Sequence, residues 1–426
     1  MGWRDVGFMG SEYYVTPNID KLASEGMIFT QAYAAASNCA PSRACMISGQ
    51  WTPRHGIYTV ANSDRGKSET RKLIPTKNET VLAPEFYTLA EALKDHGYIT
   101  CHAGKWHITN DPCADGFEYN IGGSNAGNPG SYYPPYKRVD MEAPTDDYYL
   151  TNLIMDKTIE FLESIESEKF FLYYSPYAVH TPIHPVKSLL DNYEGKQAWN
   201  GQDNPKYATM IENLDIQIGR MIRTLNETNK IDNTLIIFIS DNGGVYKVTK
   251  QWPLRAGKGS YYEGGIREPM FVWWPGKVRA NTKSETPVSN LDFYPTLLDI
   301  LDIPVSENQV LDGKSILPIL KGEEFDDRPL FWHFPIYLEG GNKECQDMIF
   351  RTRPGSAVRS GNWKLIEYFE NGDLELYNLK YDVGEENNLA KENPEKLREL
   401  FDILKEWREK TNAQVPHEIN PEYIDK

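Results

Sequence analysis

Two stretches of this chain follow one pattern, and it restricts the fold more than any other feature. Asp147 to Glu166 places Leu150, Leu153, Ile154, Phe161, Leu162 and Ile165 at helical spacing, and Phe170-Phe171-Leu172-Tyr173-Tyr174 follows. Pro205 to Asn229 places Tyr207, Met210, Ile211, Leu214, Ile218, Met221, Ile222 and Leu225 three and four residues apart, and Leu235-Ile236-Ile237-Phe238-Ile239 follows. A strand without a polar position has no face for solvent. It belongs in a sheet covered on both sides, the usual setting of parallel strands. The expected fold is therefore α/β, a large mixed, mostly parallel sheet sandwiched between helices. Another helix is expected over Phe86 to His96, from the Thr88/Glu91 capping pair, Leu89 and Leu93, and a stop at Gly97.

Near residue 325 the pattern changes. Gly322 to Pro329 is a charged, breaker-rich junction. Short strand-like pieces follow at Trp363-Lys364-Leu365-Ile366 and Leu374-Glu375-Leu376-Tyr377. A last helix starts at Asn393-Pro394 and carries Leu397, Leu400, Phe401, Leu404 and Trp407 on one face. We expect a main domain over 1–325 and a smaller C-terminal α+β subdomain over 326–426, a short antiparallel sheet plus a helix. Segments 61–80 and 110–145 are rich in Gly, Pro, Asn and Tyr, and loops of that length usually serve function.

The 426 residues carry a formal charge of −16. Nucleic acid and anionic membranes are poor partners for such a surface, since phosphate binding needs clustered basic groups. No apolar run is long enough to span a membrane. The five cysteines, Cys39, Cys45, Cys101, Cys113 and Cys345, fit neither a zinc ribbon nor a disulfide framework.

One cysteine sits in an informative context, Cys39-Ala40-Pro41-Ser42-Arg43-Ala44-Cys45-Met46-Ile47-Ser48-Gly49. Pro41 is a natural first helical residue, which puts Cys39 at or just before a helix start. Such a position lowers a thiol pKa and draws anions to free backbone N–H groups. Arg43, one turn on, can brace the same anion. Elsewhere Lys105 and Lys258 offer fixed positive charge, and His107 and His180 can move protons near neutral pH. Asp241 and Asn242 end a buried strand, where open α/β sheets place their sites, and are hard oxygen donors suited to Ca²⁺ or Mg²⁺. Taken singly, each of these residues is as well explained by a turn, a surface or a helix.

Taken in order, they form a signature. The Cys39 to Gly49 stretch closely resembles that of the type I sulfatases of the alkaline phosphatase superfamily: Cys-x-Pro-Ser-Arg, then a Ser/Thr-Gly pair. Gly97 to His107, Tyr177 to Pro182, Ser240-Asp241-Asn242-Gly243-Gly244, and Arg255 to Gly259 with Tyr262 to Arg267 resemble further motifs of the family. Leu376-Tyr377-Asn378-Leu379 through Ala390 resembles its C-terminal subdomain. The resemblance implies that Cys39 is oxidised to formylglycine by a formylglycine-generating or an anaerobic sulfatase-maturating enzyme. Its hydrate would attack sulfur, and its second hydroxyl would let sulfate leave. Asp241 would help deprotonate the attacking hydroxyl, His180 would protonate the leaving oxygen, and His107 would take the proton in the elimination. Lys105 and Lys258 would clamp sulfate oxygens, and Arg43 would steady the diol. A Ca²⁺ ion, with Mg²⁺ as the alternative, would rest on Asp241, Asn242 and the side chain of residue 39.

The family also opens with an apolar strand ending in an Asp-Asp pair of metal ligands, ahead of a segment like Gly2-Trp3-Arg4-Asp5-Val6. These have no counterpart here, and Asp5 matches a different family position. The expectation is an N-terminally truncated chain with an in-frame upstream extension, weaker metal binding, and a gap or edge in the parallel sheet. The resemblance implies export to the periplasm or beyond the cell.

For substrate, Asn120, Asn125, Asn128, Tyr132, Tyr133 and Tyr136 suggest a loop that stacks on and hydrogen-bonds a sugar. Further aromatics lie at Trp51 to His55 and Phe331-Trp332-His333. The general style, with Arg65-Gly66-Lys67 and Asn120 to Gly123, resembles bacterial arylsulfatase A-like enzymes. The expected function is removal of sulfate from a sulfated saccharide, of galactose or N-acetylgalactosamine type. The alternatives are a phosphonate or phosphate ester hydrolase of the same superfamily, and a catalytically impaired glycan-binding homologue.

Overall fold

The computed structural model describes residues 1–306 and 309–425. Its strands in the first part of the chain are β1 (Met27–Tyr33), β2 (Ile99–Gly104), β3 (Tyr119–Ile121), β4 (Phe170–Ser175), β5 (Ile236–Ile239), β6 (Arg267–Trp273), β7 (Thr282–Ser284) and β8 (Val288–Ser289). The later strands are β9 (Leu330–Phe334), β10 (Leu338–Glu339), β11 (Phe350–Thr352), β12 (Gly355–Ser360), β13 (Trp363–Tyr368) and β14 (Asp373–Asn378).

The main sheet is in two parts. One runs β5-β6-β1-β7, with β8 also on β1; β6 is antiparallel to both its neighbours, and β7 and β8 are parallel to β1. The other is all parallel, β3-β2-β4. Helices cover both faces, and β4 shows why its sequence is apolar throughout. Phe170, Leu172 and Tyr174 pack with Phe161, Leu162, Leu214 and Ile218 of the two long helices. Phe171 and Tyr173 point the other way, toward Ala44, Leu89, Leu93 and Leu298.

The long helices are Leu150–Ser164 and Pro205–Glu227. The helix read over Phe86 to His96 is shorter, Leu89–Asp95. Thr88 is its N-cap, and the reciprocal bonds with Glu91 are present. A cap residue lies outside its helix, so the Thr88 signal marks the first helical residue as Leu89.

β4 and β5 each end their part of the sheet, and both line one cavity of about 810 Å³. Their residues are half-buried, with the single exception of Ser175. Edge amides open to solvent exchange readily. Peptides covering Phe170–Ser175 and Ile236–Ile239 are therefore expected to take up deuterium faster than Arg267–Trp273, which is paired on both edges. Equal protection by mass spectrometry would mean that something covers these edges.

The C-terminal sheet is antiparallel, β14-β13-β12-β9, with β10 and β11 forming a separate pair. The helix Pro394–Thr411 lies on it through Leu400, Leu404 and Trp407. Trp407 stacks on Phe331 at 4.7 Å and meets Trp51 edge-on at 6.0 Å. Trp332 and His333 are also buried. These aromatics thus hold the C-terminal sheet to the main domain and do not offer themselves to a sugar. None of the five cysteines is in a disulfide, and only Cys113 is exposed.

Candidate active site

Three strand ends build the site. Beyond β2 come Lys105 and His107, beyond β4 comes His180, and beyond β5 come Asp241 and Asn242. This is the carboxyl edge of the sheet, where backbone turns free side chains from the core. Gly104 makes the first turn possible. Its φ is +110°, and a Cβ there would lie 2.3 Å from the Ser175 carbonyl oxygen. The Lys105 amide then donates to that carbonyl at 2.7 Å. The Lys105 carbonyl accepts from Ser175 Oγ at 2.8 Å and from Arg43 Nη1.

Cys39 opens the helix Cys39–Ser48, with Asn38 in extended conformation as N-cap. The helix starts two residues before Pro41, which the sequence reading took as the first helical position. Proline is tolerated there because the first four helical N–H groups have no intrahelical partner. Ser42 is the first residue to donate back along the helix, to the Asn38 carbonyl at 3.1 Å.

The Cys39 sulfur is 3.4 Å from His107 Nδ1 and 3.9 Å from Lys258 Nζ. Burial pushes its thiol up, but Lys105, Lys258 and His107 together outweigh burial and hold it well below the usual thiol range. Arg43 is 6% exposed, and its Nε donates to Asp241 Oδ2 at 2.8 Å. Burial alone would raise Asp241, yet Arg43, Lys105 and Lys258 bring it far below the ordinary carboxylate range. His180 falls to about 3 through burial and then Lys258 and Lys105, and it lines the same cavity. His107 is also lowered, chiefly by burial.

Of the seven residues that the sequence offers as chemical groups, Arg43, Lys105, His180, Asp241 and Lys258 line one cavity, and Cys39 and His107 join them through the contacts of Cys39 with Lys258 and His107. Three cations, Arg43, Lys105 and Lys258, face the Asp241 carboxylate and the Cys39 sulfur. That balance suits the pocket to an anion.

Glycines lock the loops together. Gly243 donates to the Gly265 carbonyl at 3.2 Å, and a Cβ on Gly243 would stand 2.0 Å from Gly264 O. The Lys258 amide donates to Gly244 O at 2.9 Å. The Asp241 and Lys258 loops are therefore tied directly to each other.

Asp241 and Asn242 are the oxygen donors for a metal. Asn242 is 3% exposed, and its Oδ1 has no hydrogen-bond partner. A buried amide oxygen left unpaired beside a carboxylate fits one side of a hard cation. No group of three or more His, Cys, Asp or Glu able to hold a metal occurs among the described residues. The two donors would thus supply part of a shell, with the remaining positions open to water or ester oxygens. Asp5 lies outside it: its carboxylate is buried and taken up by Gly2 N, Tyr207 OH, Thr249 Oγ1 and Gln251 Nε2.

Other residues support the site without any signal in the sequence. Tyr132 is fully buried, and its hydroxyl donates to the carbonyls of Tyr177 and His180 at 2.6 and 3.0 Å. It fastens the His180 loop instead of stacking on a sugar. Tyr133 and Tyr136 likewise bond backbone carbonyls, of Pro185 and Tyr148. Asn120 bonds Gly123 and Asp111, Asn125 bonds Asn110, and Asn128 accepts from Gly130. His102 Nε2 reaches Ser175 Oγ at 3.1 Å, behind Lys105.

Lys105 is 2% exposed, and burial lowers its pKa to about 8, with Arg43 and Lys258 adding to the effect. A lysine with a lowered pKa loses its charge as pH rises through that value. For an anionic substrate, kcat/KM is expected to fall above about pH 8. Conversion of Cys39 would remove a thiolate that supports the charge, which moves the fall lower, not higher. Lys105→Arg should abolish this alkaline limb in the pH–rate profile; an unchanged limb would assign it to another group.

Residues 1–303 match the family described as Sulfatase, and residues 257–414 match the one described as N-sulphoglucosamine sulphohydrolase, C-terminal. The chain is 31% identical to a protein of Formosa agariphila named Sulfatase, over 97% of this chain and 88% of that one. It is 29% identical to N-acetylgalactosamine-6-sulfatase of Homo sapiens, over 78% of this chain and 66% of that protein. Among solved structures, that of Ps i-CgsB in complex with k-i-k-neocarrahexaose superposes with a TM-score of 0.79 at 28% identity, over 99% of this chain and 92% of that one.

Proposed function

This chain belongs to the sulfatase family, and from that premise we propose that it removes sulfate from a galactose- or N-acetylgalactosamine-type saccharide through formylglycine made from Cys39. The observation that carries this reading is the position of the Cys39 sulfur: at a helix start, 3.4 Å from His107 and 3.9 Å from Lys258, in a pocket with surplus positive charge. The likeness to a protein named N-acetylgalactosamine-6-sulfatase and to a structure solved in complex with k-i-k-neocarrahexaose supports the substrate class.

In this reading Lys105 and Lys258 hold the ester oxygens, as fixed cations that need no reorganisation during reaction. Asp241, kept ionised by Arg43, accepts the proton of the attacking hydroxyl at residue 39. His180 gives a proton to the leaving alcohol oxygen. Its pKa of about 3 comes first from burial and then from Lys258 and Lys105, which repel an imidazolium. A bound sulfate ester offsets those charges and raises His180 toward a working range. His107, next to residue 39, takes the last proton as sulfate departs. Ca²⁺, or Mg²⁺ in its place, held by Asp241, Asn242 and the side chain of residue 39, would polarise the sulfate.

The reading includes a maturating enzyme that converts Cys39, and export to the periplasm or outside the cell. Among the described residues no helix is long and apolar enough to cross a membrane. The test pairs an aryl sulfate with the matching aryl phosphate and phosphonate. Release of sulfate alone is expected. Preferential release of phosphate or phosphonate would make the chain an ester hydrolase of the other kind. Glycan binding without turnover of any of them would make it a binding protein.

A further inference from the structure

The C-terminal part of the chain meets the backbone of the segment that carries Lys258 through the β10–β11 pair and the loop between them. Glu344, in the loop joining these strands, accepts from Tyr246 OH at 2.7 Å and from the Ala256 amide at 3.1 Å. The loop is thus fixed to the segment that carries Lys258. On β11, Arg351 lies directly against that segment. Its Nη1 donates to the Lys258 carbonyl at 3.4 Å, and its Nε to Gly340 O at 3.3 Å. Its Cδ is 3.1 Å from where a Cβ on Gly259 would stand. Gly259 in turn donates to the carbonyl of Ser37, two residues ahead of Cys39.

Arg351 is half-buried and has no ion-pair partner among the described residues. The carboxylate on the facing strand, Glu339, accepts from Arg65 at Oε1 at 2.7 Å and makes no hydrogen bond or ion pair with Arg351, although its Oε2 has no partner. Arg65, Arg351 and Lys258 together outnumber Glu339. A half-buried guanidinium with two long bonds to carbonyls has most of its donors to spare, and its planar fork suits carboxylate and sulfate oxygens.

We propose that Arg351, backed by Arg65, is a second anion position beside the sulfate pocket. It takes a sulfate or carboxylate carried elsewhere on the same saccharide. The assignment rests on the sulfatase reading above and narrows its substrate to glycans with at least two negative groups. Arg351 sets specificity; it takes no part in breaking the ester bond.

The test measures sulfate release by wild type and Arg351→Gln from three compounds: 4-nitrophenyl sulfate, a galactoside 4,6-disulfate, and a galactose monosulfate linked to glucuronic acid. A charge-assisted bond of this type is worth about tenfold or more in binding. R351Q is expected to raise the KM ratio of a two-anion substrate to 4-nitrophenyl sulfate by about tenfold, with the kcat ratio little changed. A rise confined to the disulfate assigns a sulfate to Arg351, and one confined to the glucuronide assigns a carboxylate. Arg351→Lys should recover part of the effect, which general loss of structure would not allow. An unchanged ratio for both compounds overturns the proposal. Should wild type release no sulfate from any compound, the sulfatase reading fails separately. Calorimetry with the galactoside disulfate then decides for Arg351: about tenfold weaker binding by R351Q supports it, and equal binding overturns it.

Discussion

Replacing Cys39 with alanine is expected to lower kcat for a sulfate ester by about 10⁶-fold, the loss seen when a covalent nucleophile is removed. Binding should survive. Lys105, Lys258 and Arg43 remain in place, and their charge no longer serves a thiolate or its oxidised successor. The substrate Kd is therefore expected to change little, or to tighten. Cys39→Ser separates two accounts of the position. A serine can form a sulfate ester but has no second hydroxyl to expel the sulfate, so it should stall after one turnover. Steady turnover by Cys39→Ser would show that residue 39 acts as a simple hydroxyl nucleophile. Loss of folding is not expected, because Cys39 makes only the polar contacts with His107 and Lys258.

The second large effect lies away from the pocket. Lys364 on β13 is wholly buried, and its Nζ meets Glu263 at 3.0 Å and Glu385 at 2.7 Å. Glu263 also accepts from Tyr33 OH at 2.7 Å, and Arg267 approaches it at 3.4 Å. The Glu263 amide donates to Glu385 at 2.6 Å. Burial works against the charge on Glu263, but Lys364, Arg267 and Arg359 keep it ionised and below its ordinary value. Glu385 is raised by burial and by Glu263. Lys364→Met removes the cation that both carboxylates share. Breaking a buried pair from one side costs about 3–5 kcal/mol, and that loss is expected in denaturant unfolding. Adding Glu385→Gln to Lys364→Met should return part of it, since one stranded charge is then gone. A loss below about 1 kcal/mol for Lys364→Met would mean that water reaches the cluster. Glu263 sits five residues past Lys258, so the same variant is expected to loosen the sulfate clamp before the protein unfolds.

Local chemistry was what the sequence could show. The capping pair at Thr88 and Glu91, the apolar strands Phe170 to Tyr174 and Leu235 to Ile239, and the final helix at Pro394 each follow from neighbours along the chain. The ordered motifs brought Cys39, Arg43, Lys105, His107, His180, Asp241 and Lys258 to notice, because each carries its own spacing. What stayed hidden depends on residues far apart in sequence. Nothing near Tyr132 says that its hydroxyl will fasten the His180 loop, and a Tyr- and Gly-rich stretch suggests sugar stacking as readily as packing. Nothing near Arg351 says that it will rest on the Lys258 carbonyl, more than ninety residues away in the chain. The division of the main sheet agrees with the expected gap or edge, which came from the family resemblance and not from strand composition, since composition gives burial but not neighbours.

The central claim is that residue 39, converted from cysteine to formylglycine, is what turns over a sulfate ester. The most direct measurement sets sulfate released per mole of protein against the fraction of residue 39 that peptide mass spectrometry finds converted, across preparations matured to different extents. The account predicts a straight line through the origin, with no turnover by protein whose Cys39 is still a thiol. Equal turnover by unconverted and converted protein would contradict it.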